Sequence, residues 1–158
     1  MRKLVVLAGL VALFVLPVAQ AAVQTNVKVP LTGFLVDIPC ANGGAGETVE
    51  LNGTLHILLT FTINGNNVSG KDHFQPQNLS GVGSVSGDSY QGTGVTQSTF
   101  KSPLVPGASG DTFTFVNNFR IIGQGPGNNV LVHTVTHVTI NANGDVTADV
   151  SLDRSECK

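Results

Sequence analysis

Apolar and polar residues alternate along this chain with a period of two. In residues 55–63 every second residue is apolar, and residues 113–121 repeat the pattern with Asn117 as the polar exception. None of the periodic segments sustains the 3.6-residue period of a helix. Because successive side chains of a strand point to opposite faces of a sheet, the pattern predicts an all-β domain.

Turn signals such as Asn64-Gly65 and Asn143-Gly144 separate the alternating segments, and both favour tight hairpins. The short connections predict an antiparallel meander. Such a meander removes its exposed edges by closing into a β-barrel, and a two-sheet β-sandwich is the alternative. About eight strands are predicted, over residues 25–36, 48–63, 67–75, 79–86, 90–99, 112–122, 129–141 and 145–153.

The N-terminus has the features of a secretory signal peptide. Arg2 and Lys3 precede an apolar run over residues 4–16, and Ala19-Gln20-Ala21 is typical of a cleavage site. The run is shorter than the roughly 20 residues of a membrane-spanning helix. Residues 1–21 are therefore predicted to be removed, leaving residues 22–158 as one secreted or periplasmic domain.

Charge is scarce, at 11% of the residues against roughly a quarter in average soluble domains. The predicted mature chain has six Lys or Arg and ten Asp or Glu, a formal charge of −4, and no basic run. This excludes an electrostatic nucleic-acid binder. The outward positions are rich in Thr, Ser and Asn, and the mature chain has one Tyr and no Trp. We therefore expect no stable membrane insertion.

The two cysteines, Cys40 and Cys157, lie near the two ends of the mature chain. Export to an oxidising compartment favours a disulfide between them. A redox-active pair is less well supported because the chain has no CxxC motif. The predicted disulfide would tie the loop after the first strand to the C-terminal tail.

The last hairpin allows its register to be derived. If Asn143-Gly144 forms a two-residue type I′ turn, cross-strand partners have residue numbers that sum to 287. His137 then faces Val150 and His133 faces Arg154. We expect both histidines to point inward, on the face that also carries Leu131, Val135, Val146, Ala148, Val150 and Leu152.

The same alternation places Asp72 and Phe74 on the inner face with the apolar residues of 55–63, opposite the face of His56. Phe113, Phe115 and Phe119 share a face with Asn117. The predicted interior is therefore aliphatic and rich in Phe, with a few polar groups. The candidate ligand-binding residues are Asp72, Phe113, Phe115, Asn117, Phe119, His133 and His137.

Buried polar groups need partners, so the inward polar residues form either a satisfied core network or the lining of a ligand cavity. Metal binding is not expected, because His133 and His137 would lie about 13 Å apart on one strand. An acid–base pair of Asp72 with one of these histidines is conceivable but unspecific. No GxSxG motif supports a hydrolase, and no cofactor motif is found, so we predict no catalytic residue and no cofactor.

Three segments, HFQPQ at residues 73–77, GDSYQGTGVTQ at 87–97 and FVNNFR at 115–120, resemble a group of uncharacterised secreted bacterial β-barrel proteins. The resemblance covers most of the mature chain and carries no assigned activity. The layout of an exported meander with one disulfide also looks like dirigent and allene oxide cyclase barrels. That likeness is architectural and implies no catalytic residue.

Two functions of different classes are compatible with these features. The first is an exported barrel that binds a small, mostly apolar ligand in its Phe-lined interior. The second is a secreted surface or interaction protein with a filled core. An isomerase or cyclase type of enzyme is a third and weaker alternative. A cavity of several hundred Å³ would favour the first function, and a solid interior the second.

Overall fold

The structure is a computed structural model that describes residues 21–108, 110–125 and 127–158. The predicted signal peptide lies outside the described residues except for Ala21, where the first strand begins. The described residues form seven strands and one helical turn, α1 (Ala41–Gly44). The strands are β1 (Ala21–Ile38), β2 (Glu47–Asn64), β3 (Asn67–Gly83), β4 (Ser89–Pro103), β5 (Asp111–Gly123), β6 (Val130–Ile140) and β7 (Val146–Cys157).

The strands pair in chain order in one antiparallel sheet, from β1 to β7. This confirms the predicted all-β meander. The sheet is not closed, because the described backbone has no pairing between β1 and β7, so the predicted barrel is not confirmed. The physical reason is visible in β7, which carries Asp149, Asp153, Arg154 and Glu156. Charged side chains of this kind are typical of a sheet edge that does not pair with another strand.

The structure has seven strands rather than the predicted eight, because residues 67–75 and 79–86 belong largely to the single strand β3. The pairing register of β3 shifts against β2 and against β4 in the segment around Asn78. Asn78 has a φ of 52°, so the chain takes a bulge here and then continues as a strand. Pro76 and Asn78 are turn-forming residues, which explains why the sequence pattern predicts a break.

A disulfide joins Cys40, just after β1, to Cys157 at the end of β7, with 5.9 Å between the Cα atoms. This confirms the predicted pairing and brings the two edge strands together at one end of the sheet, which we call the closed end. The buried apolar residues lie at this end. They are Ile38, Ala41, Val49, Leu51, Leu79, Tyr90, Ile121 and Val130.

The sheet is strongly curved. Phe34 of β1 and Phe119 of β5 have ring centroids 6.3 Å apart, whereas four strand spacings in a flat sheet would separate them by about 19 Å. The face on which they meet is the concave face, and its central row of paired residues is Ile57, Phe74, Thr96, Asn117 and Thr134. The opposite, convex face has the central row Leu58, His73, Gln97, Val116 and Val135.

The hairpin of β6 and β7 has the predicted register from Val130, which pairs with Cys157, to Thr139, which pairs with Ala148. Its turn differs from the predicted two-residue type I′ turn, because the register shifts beyond Thr139. The side chain of Asn141 accepts backbone hydrogen bonds from Asn143 and Asp145, each at 2.9 Å. This side-chain-capped turn is longer than a type I′ turn.

Within the described residues, helix is confined to α1, in which Asn42 and Gly43 both have positive φ. Over the described ranges, no helix has the length and apolar character needed to cross a membrane.

Candidate functional site

A pocket of about 290 Å³ opens on the concave face, directly above the buried residues of the closed end. Apolar side chains from four strands form its walls, and a polar pair forms one side. The lining residues are Leu31, Phe34, Leu55, Phe74, Pro76, Leu79, Thr96, Asn117 and Phe119. Ligand pockets typically span roughly 300–1,000 Å³ and are mostly apolar with a few polar groups, so this pocket lies at the small end of that class.

The concave face continues from the pocket towards the end of the sheet opposite the disulfide, which we call the open end. Apolar side chains beside the pocket and beyond it are only partly covered: Val29 is 43% exposed and Val27 42%, both in rows of the pocket, and Phe113, nearer the open end, is 41% exposed. The pocket is therefore continuous with partly exposed apolar surface, which we call the groove. A ligand longer than the pocket could extend along this groove.

Two pairs of polar side chains in and beside the pocket are hydrogen-bonded to each other. The Thr96 hydroxyl donates to Asn117 Oδ1 over 2.9 Å within the pocket. One row nearer the open end, the Ser98 hydroxyl donates to Asp72 Oδ2 over 2.7 Å. These two pairs form a narrow polar strip across β3, β4 and β5.

An aromatic pair lies beyond the polar strip. Phe61 of β2 and Phe100 of β4 have ring centroids 6.0 Å apart, although β3 runs between them. Gly70 of β3 makes this possible, because a Cβ atom at Gly70 would collide with the Phe100 ring. Asp72 therefore lies between the apolar pocket and an aromatic pair.

Five of the seven predicted candidates lie on the concave face. Asn117 and Phe119 line the pocket, Asp72 and Phe115 lie in the next row, and Phe113 lies one row further towards the open end. The alternation within each strand therefore predicts the correct face for these five residues.

The structure does not bring the two histidines to this face. Thr134 and Thr136 of β6 pair with Asn117 and Phe115 on the concave face. His133 and His137 flank these two threonines along the strand and therefore project from the convex face. His133 Nδ1 lies 2.6 Å from Asn118 Oδ1. His137 Nδ1 lies 2.8 Å from Thr114 Oγ1.

The expectation that both histidines point inward is therefore wrong. That expectation took the face with most apolar residues in the last hairpin to be the inner face, without reference to the other strands. Those residues lie on the convex face, where Val150 is 55% and Leu152 48% exposed. An acid–base pair between Asp72 and either histidine is not formed.

Glu47 is a buried carboxylate that the sequence analysis missed. Glu47 Oε1 accepts hydrogen bonds from the hydroxyls of Tyr90 (2.6 Å) and Ser86 (2.7 Å). Glu47 Oε2 accepts from the backbone N–H groups of Ser86 (3.0 Å) and Val85 (3.1 Å). These bonds, the one from the Ser86 N–H foremost, lower the pKa of Glu47 from 4.5 to about 2.

Burial, followed by the hydrogen bond to Glu47, raises the pKa of Tyr90 above its ordinary value. All the acceptor positions of Glu47 face protein donors, and a Cβ atom at Gly83 would collide with the carboxylate. Glu47 therefore holds the closed end together through hydrogen bonds within the protein. Alternation along β2 could have identified Glu47 in the sequence, because Glu47 lies on the same inward face as Val49 and Leu51.

A second hollow, of about 380 Å³, lies on the convex face near the C-terminus. Arg120, His133, Arg154 and Lys158 line it. Glu156 forms ion pairs with Arg154 and, over 3.3 Å, with Lys158. Most of the side chains that line this hollow are charged or polar. Across the part of the chain that the structure describes, no three His, Cys, Asp or Glu side chains are grouped closely enough to hold a metal ion.

Several lining residues of the pocket were not among the predicted candidates. Phe34 is the clearest case, since simple alternation from residue 31 puts it on the other face. A bulge between Leu31 and Phe34, where Gly33 has a φ of 67°, reverses the parity of β1. Gly33 is the sequence signal for this reversal.

No known protein family, no curated protein and no solved structure matches this chain.

Proposed function

We propose that the protein binds a small, mostly apolar molecule in the pocket of the concave face. One observation carries the proposal: a pocket of about 290 Å³, walled by Leu, Phe and Pro side chains, continues into a partly exposed apolar groove. Exposed apolar surface of this kind typically marks a binding site. Each methylene group of a ligand buried there would contribute about 0.8 kcal/mol to binding.

The Thr96 and Asn117 pair supports a ligand with a polar group. The Thr96 hydroxyl donates to Asn117 Oδ1, which leaves the Asn117 amide N–H₂ as a donor at the pocket wall. A hydroxyl or carbonyl oxygen of the ligand would accept from it. Apolar walls with a few fixed polar groups are the usual composition of small-molecule sites.

Export is part of the same proposal. The Cys40–Cys157 disulfide suits an oxidising compartment, where such bonds persist. The signal-peptide pattern of residues 1–21 would direct the chain there. We therefore propose a secreted or periplasmic binding protein.

The test is a fluorescence titration of the oxidised protein with N-phenyl-1-naphthylamine, a neutral apolar probe. Leu55→Trp fills the pocket, so the affinity should fall at least roughly tenfold, which corresponds to about 1.4 kcal/mol. The matched control is Leu58→Trp on the same strand, whose side chain lies on the convex face. This variant should bind like the wild type.

Urea unfolding of both variants verifies that each is folded. Equal losses of probe affinity in the two variants, or a wild-type protein that never binds the probe, would refute the proposal. A folded protein with a solid core that binds no apolar probe would instead favour the alternative function, a secreted surface or interaction protein.

A further inference from the structure

Basic side chains are confined to one face of the sheet, whereas acids occur on both faces, with Asp37, Glu50 and Glu156 on the convex face. Every Lys, Arg and His of residues 22–158 lies on the convex face: Lys28, His56, Lys71, His73, Lys101, Arg120, His133, His137, Arg154 and Lys158. The concave face has acids instead, namely Glu47, Asp72, Asp111, Asp149 and Asp153. The groove therefore has a negative electrostatic character.

Asp72 is the acid closest to the pocket. It lies next to Phe74, a pocket wall residue, in the same strand and on the same face. It is half-buried, and the Ser98 hydroxyl is its hydrogen-bond partner. Among the described residues, no Lys, Arg or His forms an ion pair with it. A partly buried carboxylate without a counter-charge is costly, and a bound cation would remove that cost.

The neighbours of Asp72 also suit a cation. Phe61 and Phe100 form an aromatic pair one row nearer the open end, and Phe115 pairs with Ser98 beside it. Aromatic faces attract ammonium groups, and a carboxylate adds a full opposite charge. The apolar pocket lies on the other side of Asp72. A positive head group at Asp72 and an apolar tail in the pocket would therefore fit one molecule.

We propose that the ligand is a cationic amphiphile, an organic amine or quaternary ammonium compound with an apolar tail, whose charge is held by Asp72. This inference rests on the proposed function, since it assumes that the pocket binds the tail. The inference goes beyond the proposed function by naming the charge of the ligand and the residue that selects this charge.

The test compares three probes with the same alkyl chain: decyltrimethylammonium and decyl sulfate below their micelle concentrations, and decanol below its solubility limit. Isothermal titration should show that the cation binds about tenfold more tightly than the neutral alcohol. The anion should bind most weakly. Added salt should weaken binding of the cation and leave decanol unaffected.

Asp72→Asn keeps a hydrogen-bond acceptor for Ser98 and should abolish the preference for the cation over decanol. Glu50→Gln on the convex face makes the same change in net charge and should keep the preference. An equal loss in both variants would assign the preference to net charge and overturn the role of Asp72.

Equal wild-type affinities for the cation and decanol would refute this inference and leave the proposed function standing. Failure of all three probes to bind would refute the proposed function itself.

Discussion

At the scale of single residues, Glu47 shows how a carboxylate can stabilise a small buried region. Its four hydrogen bonds come from two hydroxyls and two backbone N–H groups. Hydrogen bonds to an ionised acceptor are stronger than those between neutral groups. Glu47 is therefore expected to stabilise the folded protein only while it is ionised.

The pH dependence of this contribution has a defined sign. The pKa of Glu47 is about 2 in the folded protein and 4.5 ordinarily, so the folded state favours the ionised form. The stabilisation is complete above about pH 4.5 and is lost as the pH falls through about 2. Glu47→Gln should be less stable than the wild type at pH 6, and the difference should shrink on acidification.

Urea unfolding of both proteins between pH 6 and pH 2 measures this difference. The control is Glu50→Gln, an exposed acid on the same strand. If the difference in the free energy of unfolding between the wild type and Glu47→Gln stays constant over the whole pH range, the ionised carboxylate is not the stabilising species.

Single residues also determine how far the site was predictable. Asn117 and Phe119 are placed correctly by alternation alone, because β5 has no bulge against either neighbour. Phe34 is missed because one extra residue at Gly33 changes the parity of β1. Glu47 is missed because a strand-initial acid looks solvent-exposed unless Tyr90, Val85 and Ser86 are known to surround it.

At the scale of elements, the sequence predicts each hairpin better than the relation between hairpins. Within the β2–β3 hairpin, Ile57 pairs with Phe74 and His56 with Gln75, so the predicted faces are confirmed. The β5 and β6 strands are joined by residues 124–129, and a loop of that length allows either parity. The sequence therefore does not determine which face of β6 continues the concave face. The structure shows that Thr134, and not His133, lies beside Asn117 on that face.

The disulfide acts at the scale of elements because it joins the two edge strands, which do not pair through their backbones. The cysteines are separated by 117 residues. In the chain-entropy treatment, such a long loop contributes about 3 to 5 kcal/mol to the free energy of unfolding. The double variant Cys40→Ala with Cys157→Ala should lose stability of that order.

Urea denaturation of the double variant measures this loss, and the reduced wild-type protein is the matched comparison. Both should unfold at a similar, lower urea concentration than the oxidised protein. A double variant as stable as the oxidised wild type would mean that backbone contacts alone hold the closed end.

At the scale of the whole molecule, the curved sheet separates two surfaces with different properties. The concave face has the Phe side chains, the pocket and several carboxylates. The convex face has every Lys, Arg and His of the predicted mature chain, and the exposed Val150 and Leu152. Low overall charge in the sequence conceals this arrangement, because charge composition contains no information about which face a residue occupies.

The central claim is that the concave face, and not the convex face, binds an apolar molecule. Leucine residues on both faces make this measurable by methyl NMR during a titration with decanol. Leu31, Leu55 and Leu79 line the pocket, and Leu58, Leu131 and Leu152 lie on the convex face. We predict saturable shifts of the first three methyl signals and unchanged positions of the other three. Shifts confined to the convex leucines, or no shift at all, would contradict the claim.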